Sequence, residues 1–144
     1  MIEHNLAPKA PEPKAPIADG FIPYEEFLER AKIPQVFGVA GKVVEVLQRR
    51  VGNDRLGIEF VAQDMNLSKR TLQRRLQEQD ISFAALRDHV RFNHAIQCLL
   101  ERHMSIENTS NYLDFSDRTS FTNAFKRWTT LSPSMFRKIY RDYV

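Results

Sequence analysis

A single cysteine, Cys98, is all that this 144-residue chain carries, so no intramolecular disulfide can form and the paired spacing of a stapled secreted scaffold is missing. Cys98 sits inside Ala95-Ile96-Gln97-Cys98-Leu99-Leu100, where a thiol reads as a small buried apolar group rather than a nucleophile. No run is apolar and long enough to span a bilayer, and no signal-peptide pattern opens the chain, so a cytoplasmic protein without a membrane partner is expected. Glycine is scarce, five in all, and none stands in a phosphate-binding loop or a nucleophile elbow. His89, His94 and His103 have neither metal-ligand spacing nor companion cysteines, and His89 and His94, five apart on a helix, point to different faces. The expectation is therefore no catalytic residue, no metal and no cofactor, which speaks against an enzyme.

What is present suits a small core. Apolar residues make up 42% of the chain, and ten phenylalanines supply volume to a single compact domain with a tail. The net charge of +3 is unevenly placed. Residues 1–55 hold eight basic and eight acidic side chains, whereas residues 56–144 hold thirteen and ten. The excess is densest at Lys69, Arg70, Arg74 and Arg75, and again at Arg137, Lys138 and Arg141, a pattern that suits a polyanion as well as ordinary solvated helix faces.

Residues 7–18 contain four prolines at short intervals, which forbids a helix and favours an extended spacer. Residues 1–34 are read as a Pro-rich, disordered tail, within which Tyr24, Phe27, Leu28 and Ala31 have helical spacing. That piece is either a short docking helix or an ordered tail lying on the domain. The folded region is expected from Gln35 to residue 144, and its periodicity is helical throughout. Val43, Val44, Val46, Leu47 and Val51 mark one helix, and Ile58, Val61, Ala62 and Met65 a second. Ser68 caps a third with Leu72 and Leu76 inward; Ser82 caps a long one reaching about Glu101. Ser105 opens a helix to Leu113, and Ser116 or Asp117 opens the next, to Trp128. Ser132-Pro133 starts a last helix with Phe136, Ile139, Tyr140 and Tyr143 inward. No strand pattern is found, so the class is all-α.

Two stretches repeat one order. Val61-Ala62 is followed by Asn66-Leu67-Ser68 and then by Leu72 and Leu76; about 48 residues later Ser110 is followed by Asp114-Phe115-Ser116, then by Phe121 and Phe125. A small residue lets two helices cross closely, a turn residue four positions on absorbs a positive φ, and a short polar residue caps the helix that follows. These are two helix-turn-helix units, about 56–79 and 105–128, joined by a connector helix at 82–101.

The run Ser68-x-Arg70-Thr71-Leu72-Gln73-Arg74-Arg75-Leu76, Ile81-Ser82-Phe83, Arg91 and Ala95, Leu113-x-Phe115-Ser116-Asp117, Phe125-Lys126-Arg127-Trp128 and Ser132-Pro133-x-x-Phe136-Arg137 resembles the DNA-binding domain of the AraC/XylS type of bacterial transcription regulator. The resemblance covers roughly residues 35–140. It implies two three-helix units on one connector, with two recognition helices entering successive major grooves about 34 Å apart. It implies double-stranded DNA as the partner, a nucleoid-associated location, activation rather than repression, and contact with RNA polymerase. By motif position Arg70, Gln73 and Arg74 would face base edges, and Leu72 and Leu76, as the buried side, agree with that. Arg pairs with guanine and Gln with adenine in the major groove. In the second recognition helix Arg118, Thr119, Thr122 and Asn123 take these roles. Ser68, Lys69, Arg75 and Lys126 would touch phosphate.

The chain departs from the family where glycines are usual: Asp80, Asp114 and Thr130 stand there. Asn108-Thr109-Ser110-Asn111 replaces a helix-favouring stretch with four polar, poor helix formers, so the second unit is expected to be less stable, or to have lost base reading. Family members usually carry an effector domain where this sequence has about 34 residues of linker-like tail. Regulation by abundance, or by a protein partner gripping Phe21–Ala31, is the expectation, and a fragment of a longer chain is the alternative. The rival functional reading is a co-regulator or antagonist that keeps the fold but binds another regulator or RNA polymerase. RNA binding is disfavoured because nearly all aromatics sit at core spacing rather than on an exposed stacking platform.

Overall fold

The computed structural model describes residues 22–143. Among them are eight α-helices and no strand: α1 (Tyr24–Ala31), α2 (Gly38–Arg50), α3 (Ile58–Asp64), α4 (Lys69–Glu78), α5 (Phe83–Ile96), α6 (Ile106–Tyr112), α7 (Arg118–Thr129) and α8 (Pro133–Tyr140). The all-α class is as the periodicity predicts. The proline-rich stretch read as disordered lies outside the described residues.

Most of these helices start where a side chain can accept an otherwise orphaned amide. Ser68, Ser82, Ser105, Asp117 and Ser132 accept from the backbone N–H of Thr71, Ala85, Asn108, Ser120 and Met135. Each such cap contributes about 1 kcal/mol. Asp117, rather than Ser116, caps α7. Pro133 follows its cap at the first helical position, where a missing N–H leaves nothing unsatisfied.

The first unit, α2–α4, closes around aliphatic side chains: Val43, Leu47, Val61, Leu72 and Leu76 are all buried. The second, α6–α8, closes around aromatic ones. Phe92 of α5 stacks on Trp128 with ring centroids 5.1 Å apart and meets Phe125 edge-on at 6.0 Å, and Phe125 meets Phe136 at 5.1 Å. Helix α5 is shared, since it packs on α2 and also carries Phe92 into the aromatic cluster.

Three expectations are corrected here. The connector does not stay α-helical to Glu101: Gln97–Glu101 forms a π-helical turn. The wider turn carries three consecutive side chains, Cys98, Leu99 and Leu100, inward. The carbonyls of Leu99 and Met104 at its end both accept from the Arg137 guanidinium of α8, so the helix end has partners that no local pattern announces. Cys98 is indeed a packed thiol, and burial pushes it up to about 11.

Second, the packed body begins at Ile22 rather than near Gln35. Helix α1 forms between Pro23 and Pro34 and lays Phe27, fully buried, against Phe136 at 5.2 Å and Tyr140 at 5.5 Å. The Tyr140 hydroxyl donates to the Ile22 carbonyl, and Arg30 donates to the Trp128 carbonyl at 3.3 Å. Of the two readings left open, the structure has a helix whose apolar side, Tyr24, Phe27 and Ala31, is already used within the chain. Third, Ile139 and Tyr143 are exposed. The Pro133–Phe136–Tyr140 edge of the short α8 is the buried one, and the chain then tightens into a 3₁₀ turn at Arg141–Tyr143.

Candidate nucleic-acid interface

The two turns are built alike. In the first, Asn66 takes φ 58° and the N–H of Leu67 donates to the Ala62 carbonyl at 2.9 Å. In the second, Asp114 takes φ 59° and the N–H of Phe115 donates to the Ser110 carbonyl at 3.0 Å. Ala62 and Ser110 are both buried, as close helix crossing requires. The polar stretch Asn108–Asn111 forms a complete helix. The buried hydroxyls of Thr109 and Ser110 donate to the carbonyls of Ser105 (2.8 Å) and Asp117 (3.0 Å), so neither is left unsatisfied.

The repeats slip by one residue after the turn. Asn66 and Asp114 lie 48 positions apart, whereas the caps Ser68 and Asp117 lie 49 apart, as do Leu72 and Phe121. In that register Thr119, Thr122 and Asn123 stand at the places of Arg70, Gln73 and Arg74, while Arg118 stands at that of Lys69.

Arg70, Gln73 and Arg74 are exposed and line one shallow groove on the outer face of α4, together with Thr71 and Gln77. Ser68, Lys69 and Arg75 are exposed too. The Ser68 hydroxyl is engaged locally, accepting from Thr71 N–H and bonding the Thr71 hydroxyl at 2.9 Å. Arg74 pairs with Glu78 only at 3.9 Å between two solvated side chains, a contact too weak to hold it away from a ligand. Arg75 points to a different groove, shared with Lys42 and Arg49 of α2. Those two cations were not singled out from sequence. Their place on the solvated side of an amphipathic helix was legible, but not which neighbour they would face.

On α7, Arg118, Thr119, Asn123 and Lys126 are exposed and Thr122 is half-buried. Arg127 reaches Asp88 of α5 at 3.3 Å. The cap Asp117 accepts from the backbone N–H of Ser120 at 2.7 Å, which holds its carboxyl below the usual carboxylate range. A fixed anion therefore sits at the start of the second recognition helix, where the first has a neutral serine.

Arg91, on the connector, is buried. It donates to the carbonyls of Leu113 (2.8 Å) and Asp114 and lies 3.9 Å over the Phe115 ring. Burial lowers its pKa to about 10, which leaves it cationic at neutral pH. The positions where glycine was expected by resemblance, Asp80, Asp114 and Thr130, all take positive φ, of 58°, 59° and 67°. His94 is bonded to the Gln48 amide at 2.7 Å. Among the described residues no group of three or more His, Cys, Asp or Glu is placed to hold a metal, and no helix is long and apolar enough to cross a membrane.

The helix-turn-helix domain family matches residues 61–139. The HTH-type transcriptional regulator VqsM of Pseudomonas aeruginosa is 32% identical over 79 residues, 55% of this chain and 24% of that protein. The ornithine utilization regulator of the same organism is 30% identical over 101 residues, 70% of this chain and 30% of that one. The chain thus spans less than a third of either regulator's length. Among solved structures, the transcriptional regulator CdpR of Pseudomonas aeruginosa superposes with a TM-score of 0.63 at 30% identity, covering 70% of this chain and 32% of that one. The C-terminal domain of AraT, a response regulator from Geobacillus stearothermophilus, gives 0.62 at 25% identity over 73% of this chain and 88% of that domain. With its paired turns, capped recognition helices and matched sequence, the chain belongs to the AraC-type helix-turn-helix family of transcription regulators.

Proposed function

We propose that the chain binds double-stranded DNA sequence-specifically and reads two unlike half-sites, one with each helix-turn-helix unit. One observation carries this: Arg70, Gln73 and Arg74 share the outer face of a capped helix that follows a helix-turn-helix turn. Their chemistry suits guanine and adenine edges in the major groove. Thr119, Thr122 and Asn123 hold the matching places on α7, a smaller and uncharged reader. Lys69, Arg75 and Lys126, with Lys42 and Arg49 beside Arg75, supply phosphate contacts, and Ser68 adds its hydroxyl at the helix start. Arg118, which the motif groups with the base readers, stands at the place of Lys69 in the slipped register, and that position supports a phosphate contact for it. By family resemblance the output is activation through RNA polymerase.

The test is selection of bound duplexes from a random library of about 25 base pairs, followed by titration of the winner at several salt concentrations. The reading expects two different blocks one turn apart and binding well above the random pool. A single block would reduce the second unit to a positioning role. Weak, steeply salt-dependent binding without a consensus would overturn the reading in favour of a co-regulator that acts on another protein.

A further inference from the structure

We propose that Asp114 is a positioning residue that locks the two helix-turn-helix units together and so fixes the half-site spacing the protein accepts; the spacing part rests on the DNA reading above.

The carboxylate of Asp114 is at the tip of the second turn, yet its partners belong to the first unit. One oxygen accepts from the backbone N–H of Leu56 at 2.8 Å, and the other from Nε of Arg55 at 3.1 Å. Leu56 is buried in the core, so this amide belongs to a fixed part of the first unit rather than to a loose loop. Two residues earlier in the second unit, the Tyr112 carbonyl accepts from the N–H of Gly52 at 3.1 Å. A Cβ at Gly52 would lie 2.3 Å from the Tyr112 ring, and Gly52 has φ +83°, so only glycine allows this approach. The loop between α2 and α3 is therefore docked, by three bonds, on the last turn of α6 and the residue that reverses the chain toward α7. On the other side of that reversal Arg91 holds the carbonyls of Leu113 and Asp114 from the connector.

Asp114 is a strained choice for a turn that requires positive φ, where glycine would fit without penalty. Its carboxylate does something glycine cannot: it ties the entry to one recognition helix to the frame of the other. A connector helix alone can twist and flex. A connector with a second tie across it sets the mutual orientation of α4 and α7, which is the quantity a bipartite DNA reader must hold.

Asp114→Gly removes the tie and keeps the turn, because glycine adopts the required φ freely. Asp114→Asn keeps an acceptor for Leu56 but loses the charge for Arg55. The variants and the parent are titrated on the selected duplex, on the same duplex with two base pairs inserted between blocks, and on a duplex with the first block only. The insertion rotates the second block by roughly 70° and moves it roughly 7 Å. The parent is expected to prefer the native spacing at least about tenfold, Asp114→Gly less than about threefold, and Asp114→Asn to fall between, with binding to the single block unchanged. Independently of DNA, spin labels on Gln63→Cys and Asn108→Cys in a Cys98→Ser background, one on each unit, should give a narrow distance distribution that Asp114→Gly broadens. An unchanged spacing preference, or an unchanged distance distribution, in Asp114→Gly overturns the lock. If no consensus exists for the parent, the DNA reading fails, and the distance distribution alone decides for or against the lock.

Discussion

Helix α4 presents four cations, Lys69, Arg70, Arg74 and Arg75, over a core of Leu72 and Leu76. Helix α7 presents Arg118, Thr119, Thr122, Asn123 and Lys126 over Phe121, Phe125 and Trp128. The turns that lead into them agree in φ to about a degree and in the placement of one hydrogen bond. The difference teaches what a helix-turn-helix needs: a small residue at the crossing, a residue that accepts positive φ, and a capped second helix. Core chemistry and outer-face chemistry are free to diverge around that minimum: here one core is aliphatic and the other aromatic, and Arg70, Gln73 and Arg74 on α4 contrast with the uncharged Thr119, Thr122 and Asn123 at the matching places on α7.

The largest expected effect attacks the core half of the comparison. Trp128→Ala, which empties the aromatic cluster, should lower stability by about 3–5 kcal/mol, and Leu72→Ala by about 2–5 kcal/mol, measured by urea unfolding followed by circular dichroism. A Trp128→Ala loss below about 1 kcal/mol would mean that the second unit is not organised around this ring. On the outer faces, Arg74→Ala should weaken binding to the selected duplex by about 1–3 kcal/mol and relax preference at one base pair. Asn123→Ala on α7 should weaken it by about 1 kcal/mol, measured at one fixed salt concentration. Equal losses would erase the distinction between a strong and a weak reader, and a loss for Arg74→Ala that is uniform over all sequences would assign that residue to phosphate.

Smaller effects test the turns and the shared helix. Thr130, β-branched at φ 67°, is the most strained of the former glycine positions. Thr130→Gly should raise stability by about 0.5–1 kcal/mol in thermal melts, after the loss of chain entropy is counted. No gain would mean that the bond from its hydroxyl to the Thr129 carbonyl offsets the strain. The smallest effect concerns pH. Burial, and then Arg102, hold His94 below its ordinary value, so the unfolded chain binds this proton more readily than the folded one. Stability is then complete above about pH 6.5 and falls as pH drops through the folded value. His94→Gln should flatten part of the slope in melting temperature between pH 7 and pH 5, and an unchanged slope would place the titration elsewhere.

The helices, their caps and the two turns were legible because each is encoded within a few residues: Ser68 before Leu72 and Leu76, or Ser132 before Pro133. What escaped is what depends on distant partners. Tyr24, Phe27 and Ala31 announce a helix but not that α8 covers it. Ala95-Ile96-Gln97-Cys98-Leu99-Leu100 reads as ordinary helix, and the distant Arg137, reaching back to Leu99 and Met104, helps satisfy its end as a π turn. Asp114 could be read as a poor substitute for glycine; its bond to Leu56, 58 residues earlier, could not. The candidate base readers on α4 come from the motif's resemblance, and the spacing of Leu72 and Leu76 agrees with it, since burial of two leucines decides which side of a helix is free. On α7 the extra residue between turn and cap shifts the register by one, and nothing local to Ser116-Asp117 says which of the two is the cap.

Helix α1 also has a consequence for the order in which the chain is made. Its buried side meets Phe136 and Tyr140, and the bond from Tyr140 to Ile22 closes a separation of 118 residues. A ribosome adding about 5–20 residues per second releases α8 roughly 5–20 s after α1. Throughout that interval Phe27 lacks Phe136 and Tyr140, although α2–α4 can already pack and α5, against which α1 also lies, is made about halfway. The aromatic half therefore cannot mature in step with synthesis. Its last ring contacts, from Phe136 and Tyr140 to Phe27, join a helix made first to one made last.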